Sequence, residues 1–263
     1  MTKNTNNPVL PLAPYLGGKR NLANRLIERI DQIKHITYAE PFVGMGGVFL
    51  RRPNPVKAEY INDINDDIYN LFRQVQQHES YFVDYMKYFI SSRREFERLA
   101  KCPADVLTEL QRAARFLYLQ RTCFGGQPKH NSFGVSPGRS ARFNLTTLQP
   151  MLKRLHHRMT NVSVECLPYQ DFITRIDRPG TLFYLDPPYW GCETDYGKNV
   201  FYRDDFQKIA DQLANIKGRF ILSINDTPEV RSIFDQFDIE EVSLNYSISR
   251  NQSHKAKELI ISN

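Results

Sequence analysis

The stretch ITYAEPFVGMGG, residues 36–47, decides the fold of this 263-residue chain. Its first five residues have the pattern of a short buried strand, and the strand leads directly into a glycine-rich loop. An amphipathic helix is predicted before it, at 19–34. A second strand is predicted at 56–61; it ends in Asn62-Asp63, and a helix follows from Asn65 to about Gln77. Strands and helices in this order predict the opening of a doubly wound α/β sheet.

The rest of the chain divides that sheet into two parts. Residues 79–121 have helical periodicity, and 123–143 are rich in Gly, Pro, Ser and Asn, which predicts a long loop or loose hairpin. A loop of this length is uncommon unless it has a function. Strands are predicted again at 162–166, 181–185, 220–224, 239–244 and 259–261. The sequence therefore predicts an α/β core in two segments, 1–75 and 146–263, with a mainly helical insertion at 76–145.

The distribution of charge points to a polyanion. The net charge is +6, yet the 55 residues from Leu110 to Val164 contain no Asp or Glu. The cations in this span are Arg112, Arg115, Arg121, Lys129, Arg139, Arg142, Lys153, Arg154 and Arg158. A solvated basic face is the common explanation of a charge run. The complete absence of acids favours a nucleic-acid-binding surface instead.

Composition disfavours several other classes of protein. The four cysteines lie far apart and lack the paired spacing of metal ligands, so we expect reduced thiols and no metal site. No apolar run approaches the roughly 20 residues that span a bilayer. The N-terminal residues 1–7 are polar and lack the apolar core of a signal peptide. We therefore expect a cytoplasmic protein without a membrane partner.

The strongest candidate for catalysis is Asp186-Pro187-Pro188-Tyr189, which follows the apolar run 181–185 directly. A carboxylate, a prolyl carbonyl and an aromatic ring thus leave the end of a buried strand together. This arrangement suits a flat base that carries an exocyclic amino group. A plain turn that ends the strand is the alternative, because a match of four residues is a limited signal by itself.

Other residues favour a cofactor that contains adenosine. Glycines after the first strand permit positive φ and a close approach of a ligand to the backbone. Asp63 lies 19 positions beyond Gly44, which suits a carboxylate that binds ribose hydroxyls. The alternative is that Asp63 only caps the next helix. No Ser or Thr follows Lys19, so Tyr15–Lys19 is not a phosphate loop; it can instead present an ammonium group to a carboxylate.

Taken together, these motifs resemble a known family. EPFVGMGGVFL, residues 40–50, and the tetrad 186–189 closely resemble the Dam-type DNA adenine methyltransferases. Tyr15–Lys19 looks like their additional cofactor motif, and Asn62-Asp63-Ile64-Asn65 is similar to the region after their second strand. LYLQR, residues 117–121, is similar to a helix of their target-recognition insertion. The motif order, with cofactor loop first and tetrad last, is that of the alpha group of amino-methyltransferases.

The resemblance implies a fold and a cofactor. The fold is a Rossmann-like sheet with helices on both faces and an inserted, mainly helical target-recognition domain. The cofactor is S-adenosylmethionine. Lys19, with Tyr15 beside it in the additional motif, would meet its methionine carboxylate, and Asp63 would meet its ribose.

The resemblance also implies how the rest of the cofactor is held. Phe42 and the loop with Gly44 and Gly46 would enclose the methionine portion. Asp171 would hydrogen-bond to the adenine of the cofactor, and Phe172 would pack on it. Since aromatic residues dominate protein cores, the alternative for Phe172 is an ordinary core position.

Within the tetrad each residue has an implied role in transfer to adenine. Asp186 and the Pro187 carbonyl would accept the two hydrogens of the exocyclic amino group, and Asp186 would also tolerate the positive charge that develops nearby. Tyr189 would stack on the base, and Pro188 would stiffen the turn. Such a pocket cannot reach a base inside double-stranded DNA, so the target base must flip out.

The basic insertion is expected to read DNA, and Arg121, Lys129, Arg139 and Arg142 are the candidate contacts. The segment 122–130 differs from the members that methylate GATC, so the recognition sequence is not predicted. We also interpret Asp195–Arg203 as a flap over the flipped base, with a surface loop of no special role as the alternative.

Alternatives to an adenine methyltransferase stay open on the sequence alone. The tetrad chemistry also serves the exocyclic amine of cytosine, RNA is a third substrate class, and a non-catalytic DNA-binding protein can share the fold. An adenine enzyme can act alone or with a cognate restriction endonuclease.

Overall fold

The computed structural model describes residues 8–15, 17–19, 21–123, 132–135, 138, 140–197, 200–249 and 252–263. It is a mixed α/β protein. The helices are α1 Ala23–Gln32, α2 Asp66–Met86, α3 Arg93–Lys101, α4 Glu109–Thr122, α5 Leu145–Met159, α6 Tyr169–Ile176, α7 Arg203–Leu213 and α8 Pro228–Ile233. The strands are β1 Thr37–Glu40, β2 Ala58–Asn62, β3 Val162–Glu165, β4 Thr181–Leu185, β5 Arg219–Asn225, β6 Asp238–Ser249 and β7 Gln252–Ser262.

The chain forms two compact units. One comprises Met1–Lys19, Gly44–Pro53 and Asn65–Cys166, and is called the helical unit here. The other comprises Arg20–Val43, Asn54–Ile64 and Leu167–Asn263, and is called the sheet unit. These units are groups of residues that pack together. The predicted division into core segments 1–75 and 146–263, with a target-recognition insertion at 76–145, is a division by function and stays a prediction.

The sheet unit contains six of the seven strands, in the order β2-β1-β4-β5-β7-β6. The strands β2, β1, β4 and β5 are parallel, whereas β7 is antiparallel to both of its neighbours. Every residue of β4 is buried, as expected for a central parallel strand that is covered on both faces. The chain passes from β1 to β2 on one side and later inserts β4 on the other. The order therefore reverses at β1 and β4, where open α/β sheets bind ligands at the carboxyl ends of the strands.

The two faces of the central strands differ in chemistry. Phe183 and Leu185 of β4 point into an apolar core that also holds Phe172, Phe206 and Phe220. Four of the alternate residues along β1, β4 and β5 are polar and buried: Tyr38, Glu40, Tyr184 and Ser223. Since side chains alternate across a strand, these four polar groups share the opposite face of the sheet.

In the helical unit, α2 packs against α4 and α5, and α3 packs against α4. Large apolar side chains such as Phe82, Phe96 and Leu148 are fully or almost fully buried there. The start of α4 carries a capping box, in which Thr108 and Gln111 satisfy each other's backbone N–H groups. The predicted helical character of 79–121 is confirmed, since α2 continues to Met86 and no strand occurs between residues 79 and 121, all of which are described.

Several predicted boundaries differ from the structure. Helix α1 begins at Ala23, so Lys19 lies outside it. Helix α2 is interrupted at His78, whose backbone is non-helical; its first part ends near Gln77, as predicted, and a further helical part continues to Met86. The two C-terminal strands, β6 and β7, are a long hairpin, although only 239–244 and 259–261 were apolar enough to predict. Within 123–143, the described residues include one bridge, from Cys123 to Phe133.

Candidate active site

The tetrad is the loop that leaves β4. Its two prolines are buried, and Asp186 and Tyr189 are half-buried. The strand before it is fixed by parallel pairing, which ends with Leu185 opposite Leu222 of β5. After it, the backbone N–H of Cys192 donates to the Tyr189 carbonyl at 2.8 Å. The sequence thus places a carboxylate and a ring at the carboxyl end of the central strand, at the position where the strand order reverses.

A side chain from β5 holds the residue directly after the tetrad. The Trp190 N–H donates to Asn225 Oδ1 at 2.8 Å, and Asn225 Nδ2 donates to the Trp190 carbonyl at 3.1 Å. The Trp190 ring packs on Phe206, with ring centroids 5.0 Å apart, and the guanidinium of Arg203 lies 4.5 Å from the ring centroid. The sequence reasoning missed Asn225, because 35 residues separate it from its partner.

Buried hydroxyls and a carboxylate lie on the polar face of the sheet, behind the tetrad. Tyr38 donates to Glu40 Oε1 at 2.6 Å, and the hydroxyls of Tyr184 and Ser223 are 2.8 Å apart. Burial, reinforced by the negative charge of Asp186, holds the pKa of Tyr184 well above its ordinary value. Tyr184 therefore stays protonated and serves as a hydrogen-bonding group, not as a base.

A second buried amide ties the loops after β1 and β2 to the loop before α6. Asn62 is 1% exposed, and its Nδ2 donates to the carbonyls of Pro41 at 2.9 Å and of Leu167 at 3.0 Å. Its Oδ1 accepts from the Leu167 N–H at 2.9 Å. One side chain thereby fixes the backbone next to Phe42 and the entry to α6. The sequence reasoning used Asn62 only as the neighbour of Asp63.

Phe42 and Asp63 lie on these loops, after β1 and β2, and their contacts with a cofactor stay a prediction. Phe42 is half-buried, with its ring centroid 5.3 Å from that of Tyr169 and 6.2 Å from that of Phe201. Asp63 is half-buried too. Asn65, and not Asp63, is the N-cap of α2, so the helix-capping alternative for Asp63 is wrong.

The two residues predicted to contact the adenine of the cofactor, Asp171 and Phe172, lie in the first half of α6. Asp171 is exposed, whereas Phe172 is 0% exposed and belongs to the apolar core. Tyr169, at the start of the same helix, donates to Asp205 Oδ1 at 3.3 Å, and burial raises its pKa, as does the nearby charge of Asp205. The core position that was the alternative for Phe172 is the one observed; a contact with adenine stays a prediction.

The remaining cofactor candidates, Tyr15, Lys19, Gly44 and Gly46, lie in the helical unit. Gly44 and Gly46 have positive φ, at 51° and 74°. A Cβ on Gly46 would lie 2.7 Å from Leu50 Cγ, and a Cβ on Gly44 would lie 3.1 Å from the Tyr15 ring. Both positions therefore require glycine, as the loop pattern predicts. Lys19 is only 3% exposed.

The chain matches the family described as D12 class N6 adenine-specific DNA methyltransferases over residues 15–248. It belongs to this family. A Type II methyltransferase, M1.LlaDCHI of Lactococcus lactis, is 26% identical, with 96% of this chain and 95% of the relative covered. The DNA adenine methylase of Haemophilus influenzae is 27% identical, with coverages of 95% and 92%. The Type II methyltransferase M.CviBI of a Chlorella virus, Paramecium bursaria Chlorella virus NC1A, is 22% identical, with coverages of 90% and 90%.

The family confirms the predicted function and the Rossmann-like fold, and it decides between the alternatives. This protein is an adenine-specific DNA methyltransferase, so cytosine, RNA and a purely non-catalytic role are not supported. DNA is its substrate. Among the described residues, no cluster of His, Cys, Asp and Glu could hold a metal ion. No helix in the described part of the chain is long and apolar enough to cross a membrane.

Two of the four predicted DNA contacts of the methyltransferase make internal contacts. Arg121 donates to the Leu12 carbonyl, and burial lowers its pKa. Arg142 donates to the Cys123 carbonyl at 2.7 Å, and its guanidinium covers Gly134, where a Cβ would lie 2.6 Å from Arg142 Cζ. Lys129 and Arg139 lie outside the described residues.

Other cations of the acid-free span are also engaged inside the methyltransferase. Arg112 pairs with Asp66 and Asp67, and Arg115 donates to the Leu99 carbonyl at 2.7 Å. Arg158 lies 4.0 Å from the centroid of the Phe49 ring. Lys153 and Arg154, in contrast, are exposed on α5. A count of cations along the sequence overstates the charge offered to DNA.

The segment interpreted as a flap is partly helical. A 3-10 turn spans Glu193–Tyr196, and α7 begins at Arg203, which pairs with Glu193 at 3.3 Å. Residues 198 and 199 lie outside the described part of the chain. A role over the flipped base stays a prediction.

Proposed function

We propose that the methyltransferase transfers a methyl group from S-adenosylmethionine to the exocyclic amino group of an adenine that is flipped out of double-stranded DNA. The tetrad Asp186–Tyr189 holds the base in this proposal. One observation carries it: the tetrad leaves the central strand at the carboxyl edge where the strand order reverses, and its carboxylate and ring keep exposed surface there.

The chemical problem that the site has to solve is the weak nucleophilicity of adenine's amino nitrogen, whose lone pair is delocalised into the ring. Asp186 accepts one amino hydrogen and the Pro187 carbonyl accepts the other. These bonds favour a pyramidal nitrogen with a free lone pair, and they strengthen toward the transition state. As the new N–C bond forms, the bond between the methyl group and the sulfur of the donor would break and leave its electron pair on sulfur. The nitrogen thus becomes positively charged, and the Asp186 carboxylate stabilises that charge. One proton then leaves the nitrogen for the carboxylate or for water.

Tyr189 and Pro188 orient the base. A half-exposed aromatic ring next to the carboxylate offers a stacking face, and two buried prolines limit the freedom of the turn that carries it. Orientation matters because a small displacement of the reacting atoms costs a large part of the rate.

The residues of the sheet unit fit an adenosine-containing cofactor. Asp63 offers a carboxylate for ribose hydroxyls, and Phe42 offers a half-exposed ring at the end of β1. In the helical unit, Lys19 offers an ammonium group, Tyr15 a ring and Gly44 and Gly46 a backbone free of Cβ atoms, as a bound methionine group requires. Bound S-adenosylmethionine supplies the methyl group, carried on a positively charged sulfur. Asp171 remains exposed for a polar contact with the adenine of the cofactor.

Base flipping follows from the position of the tetrad at the carboxyl end of β4. A loop at the end of a sheet cannot reach the amino group of a base that is stacked in a duplex, so the base has to rotate out. Exposed cations of the helical unit hold the DNA backbone by charge. Some relatives are named Type II methyltransferases and others DNA adenine methylases. Both an enzyme that acts alone and one that is paired with a restriction endonuclease are consistent with these names.

The test is a map of modified bases. The chain is expressed in a bacterial host that lacks adenine methylation, and the host DNA is sequenced with detection of modified bases, against cells with the empty vector. We expect N6-methyladenine within one short sequence. Methylated cytosine, or unmodified DNA from cells that contain folded protein able to bind the methyl donor, would overturn the proposal.

A further inference from the structure

The loop that carries the tetrad is fixed to one strand at both of its ends. Before the tetrad, Leu185 pairs with Leu222 of β5. After it, Asn225 of the same strand binds both the N–H and the carbonyl of Trp190, at 2.8 and 3.1 Å. The four residues between these points include the carboxylate, the carbonyl and the ring of the proposed reaction.

The rest of the surroundings of Trp190 supports the same arrangement. Its ring contacts Phe206 of α7, which is fully buried, and the Arg203 guanidinium covers it. Glu193 accepts from both Arg203 and the Gly191 N–H, at 3.3 and 3.1 Å. These contacts hold the side chain and the following turn. The backbone of Trp190 itself is held by Asn225.

We propose that Asn225 is a positioning residue for methyl transfer: its side-chain amide, bound to the backbone of Trp190, sets the position of Tyr189 and of the Pro187 carbonyl. The inference rests on the proposed function of the tetrad. It adds a residue that touches neither the base nor the cofactor. The Asn side chain carries its acceptor and its donor on two neighbouring atoms, which is what the backbone N–H and carbonyl of one residue require.

The substitution Asn225→Asp tests this role, because it keeps the shape and removes the donor. The charged carboxylate still accepts from the Trp190 N–H, but it faces the Trp190 carbonyl oxygen without a hydrogen. At low pH the carboxyl group is protonated, so its O–H donates to that carbonyl and restores the pair. The turnover of the variant relative to wild type should therefore rise as the pH falls.

The other charged groups near this position are the same in both proteins. They are Asp226, the next residue, with the cations Arg231 and Lys257 near it; Glu258, opposite Asn225 on β7; and Glu193 and Arg203 beside Trp190. Their titration cancels in the ratio of variant to wild type. A carboxyl group has an ordinary pKa of about 4. The Asp226 and Glu258 carboxylates act to raise it, whereas the Arg203 and Arg231 guanidinium groups and the Trp190 N–H act to lower it, so the ratio is followed down to the lowest pH at which wild type stays active.

The experiment measures kcat, the KM for S-adenosylmethionine and the melting temperature of wild type, Asn225→Asp and Asn225→Leu on unmethylated plasmid DNA. Near pH 8 we expect kcat of both variants to fall by about a hundredfold, as for a misplaced reacting group, with the KM for the methyl donor unchanged. As the pH is lowered, the kcat of Asn225→Asp divided by that of wild type should rise toward one. The same ratio for Asn225→Leu should not change.

Asn215→Asp is the matched control. Asn215 is exposed after α7, where its amide donates to the Asp211 carbonyl at 2.8 Å, so the same chemical change should leave the ratio at one over the whole pH range. A wild-type kcat in Asn225→Asp, or a loss that is independent of pH, would overturn the inference. If Asn225→Leu does not fold, the pH dependence of Asn225→Asp decides alone. If the wild-type enzyme itself leaves adenine unmodified, the proposed function fails first, which is a distinct result.

Discussion

At the scale of single residues, Tyr189 separates stacking from the other roles of the tetrad. Tyr189 is half-buried and packs against the apolar core, so part of its surface is exposed to solvent. Stacking of a base on an aromatic ring contributes about 1–3 kcal/mol by alanine substitution. We expect Tyr189→Ala to lower kcat strongly, while Tyr189→Phe and Tyr189→Trp retain much of it, in steady-state assays of methyl transfer. Equal kcat values for the alanine and phenylalanine variants would contradict a stacking role.

Residues of the site differ in how well the sequence predicts them. Asp186 and Tyr189 are predictable because the carboxylate, the carbonyl and the ring are contiguous. Asn62 and Asn225 are not, because the backbone groups that they bind lie 105 and 35 positions away in the chain. Arg121 and Arg142 show the converse, although their contacts with DNA stay a prediction. A sequence reveals a cation but not whether a carbonyl within the fold already accepts its hydrogen bonds.

At the scale of secondary-structure elements, Asn62 connects β2 with the loop after β1 and the start of α6. In Asn62→Asp, the carboxylate faces the carbonyls of Pro41 and Leu167, and two buried acceptors lose their donor. Such a loss costs about 1–3 kcal/mol. Because these loops carry Phe42 and lead to Asp171, we expect S-adenosylmethionine to bind about tenfold more weakly in isothermal titration calorimetry.

Asn215→Asp serves as the control for this measurement too, since it makes the same change on the exposed surface of the sheet unit. Its affinity for the methyl donor should equal that of wild type. The role of Asn62 would be refuted by an unchanged affinity in Asn62→Asp, or by the same loss in both variants.

The predicted elements agree best with the structure where a run of apolar residues defines them. Strand β4 has the predicted bounds, 181–185, because all five residues are buried and the tetrad ends the run. The hairpin of β6 and β7 extends well beyond 239–244 and 259–261, because backbone pairing continues through Ser, Asn and Lys residues that have no apolar pattern. The backbone of His78 in α2 is non-helical. No glycine or proline lies beside it, so the sequence gives no sign of this kink.

At the scale of the whole molecule, the net charge of +6 is expected to appear as salt-dependent binding to DNA. Each phosphate contact contributes about 0.9 to the slope of log affinity against log salt. Lys153 and Arg154 are exposed on α5. The double variant Lys153→Gln with Arg154→Gln should therefore lose up to two phosphate contacts, which reduces the slope by up to about 1.8. Fluorescence anisotropy at several salt concentrations measures it.

Arg158→Gln is the contrasting variant, because the Arg158 guanidinium lies over the Phe49 ring. It should lower the melting temperature and leave the salt slope unchanged. A salt slope unchanged in the double variant would show that this face of α5 does not bind DNA.

The most direct test of the whole account is the transfer of labelled methyl groups to duplex DNA by purified wild type, Asp186→Asn and Asp235→Asn. Asp235 is exposed in the sheet unit, so Asp235→Asn makes the same chemical change outside the site. Asp186→Asn should lose about a hundredfold to a thousandfold in kcat, as when a group that stabilises developing charge is removed, and should still bind S-adenosylmethionine. Asp235→Asn should match wild type. Near-normal turnover by Asp186→Asn would contradict the claim that this carboxylate prepares the amino nitrogen for attack.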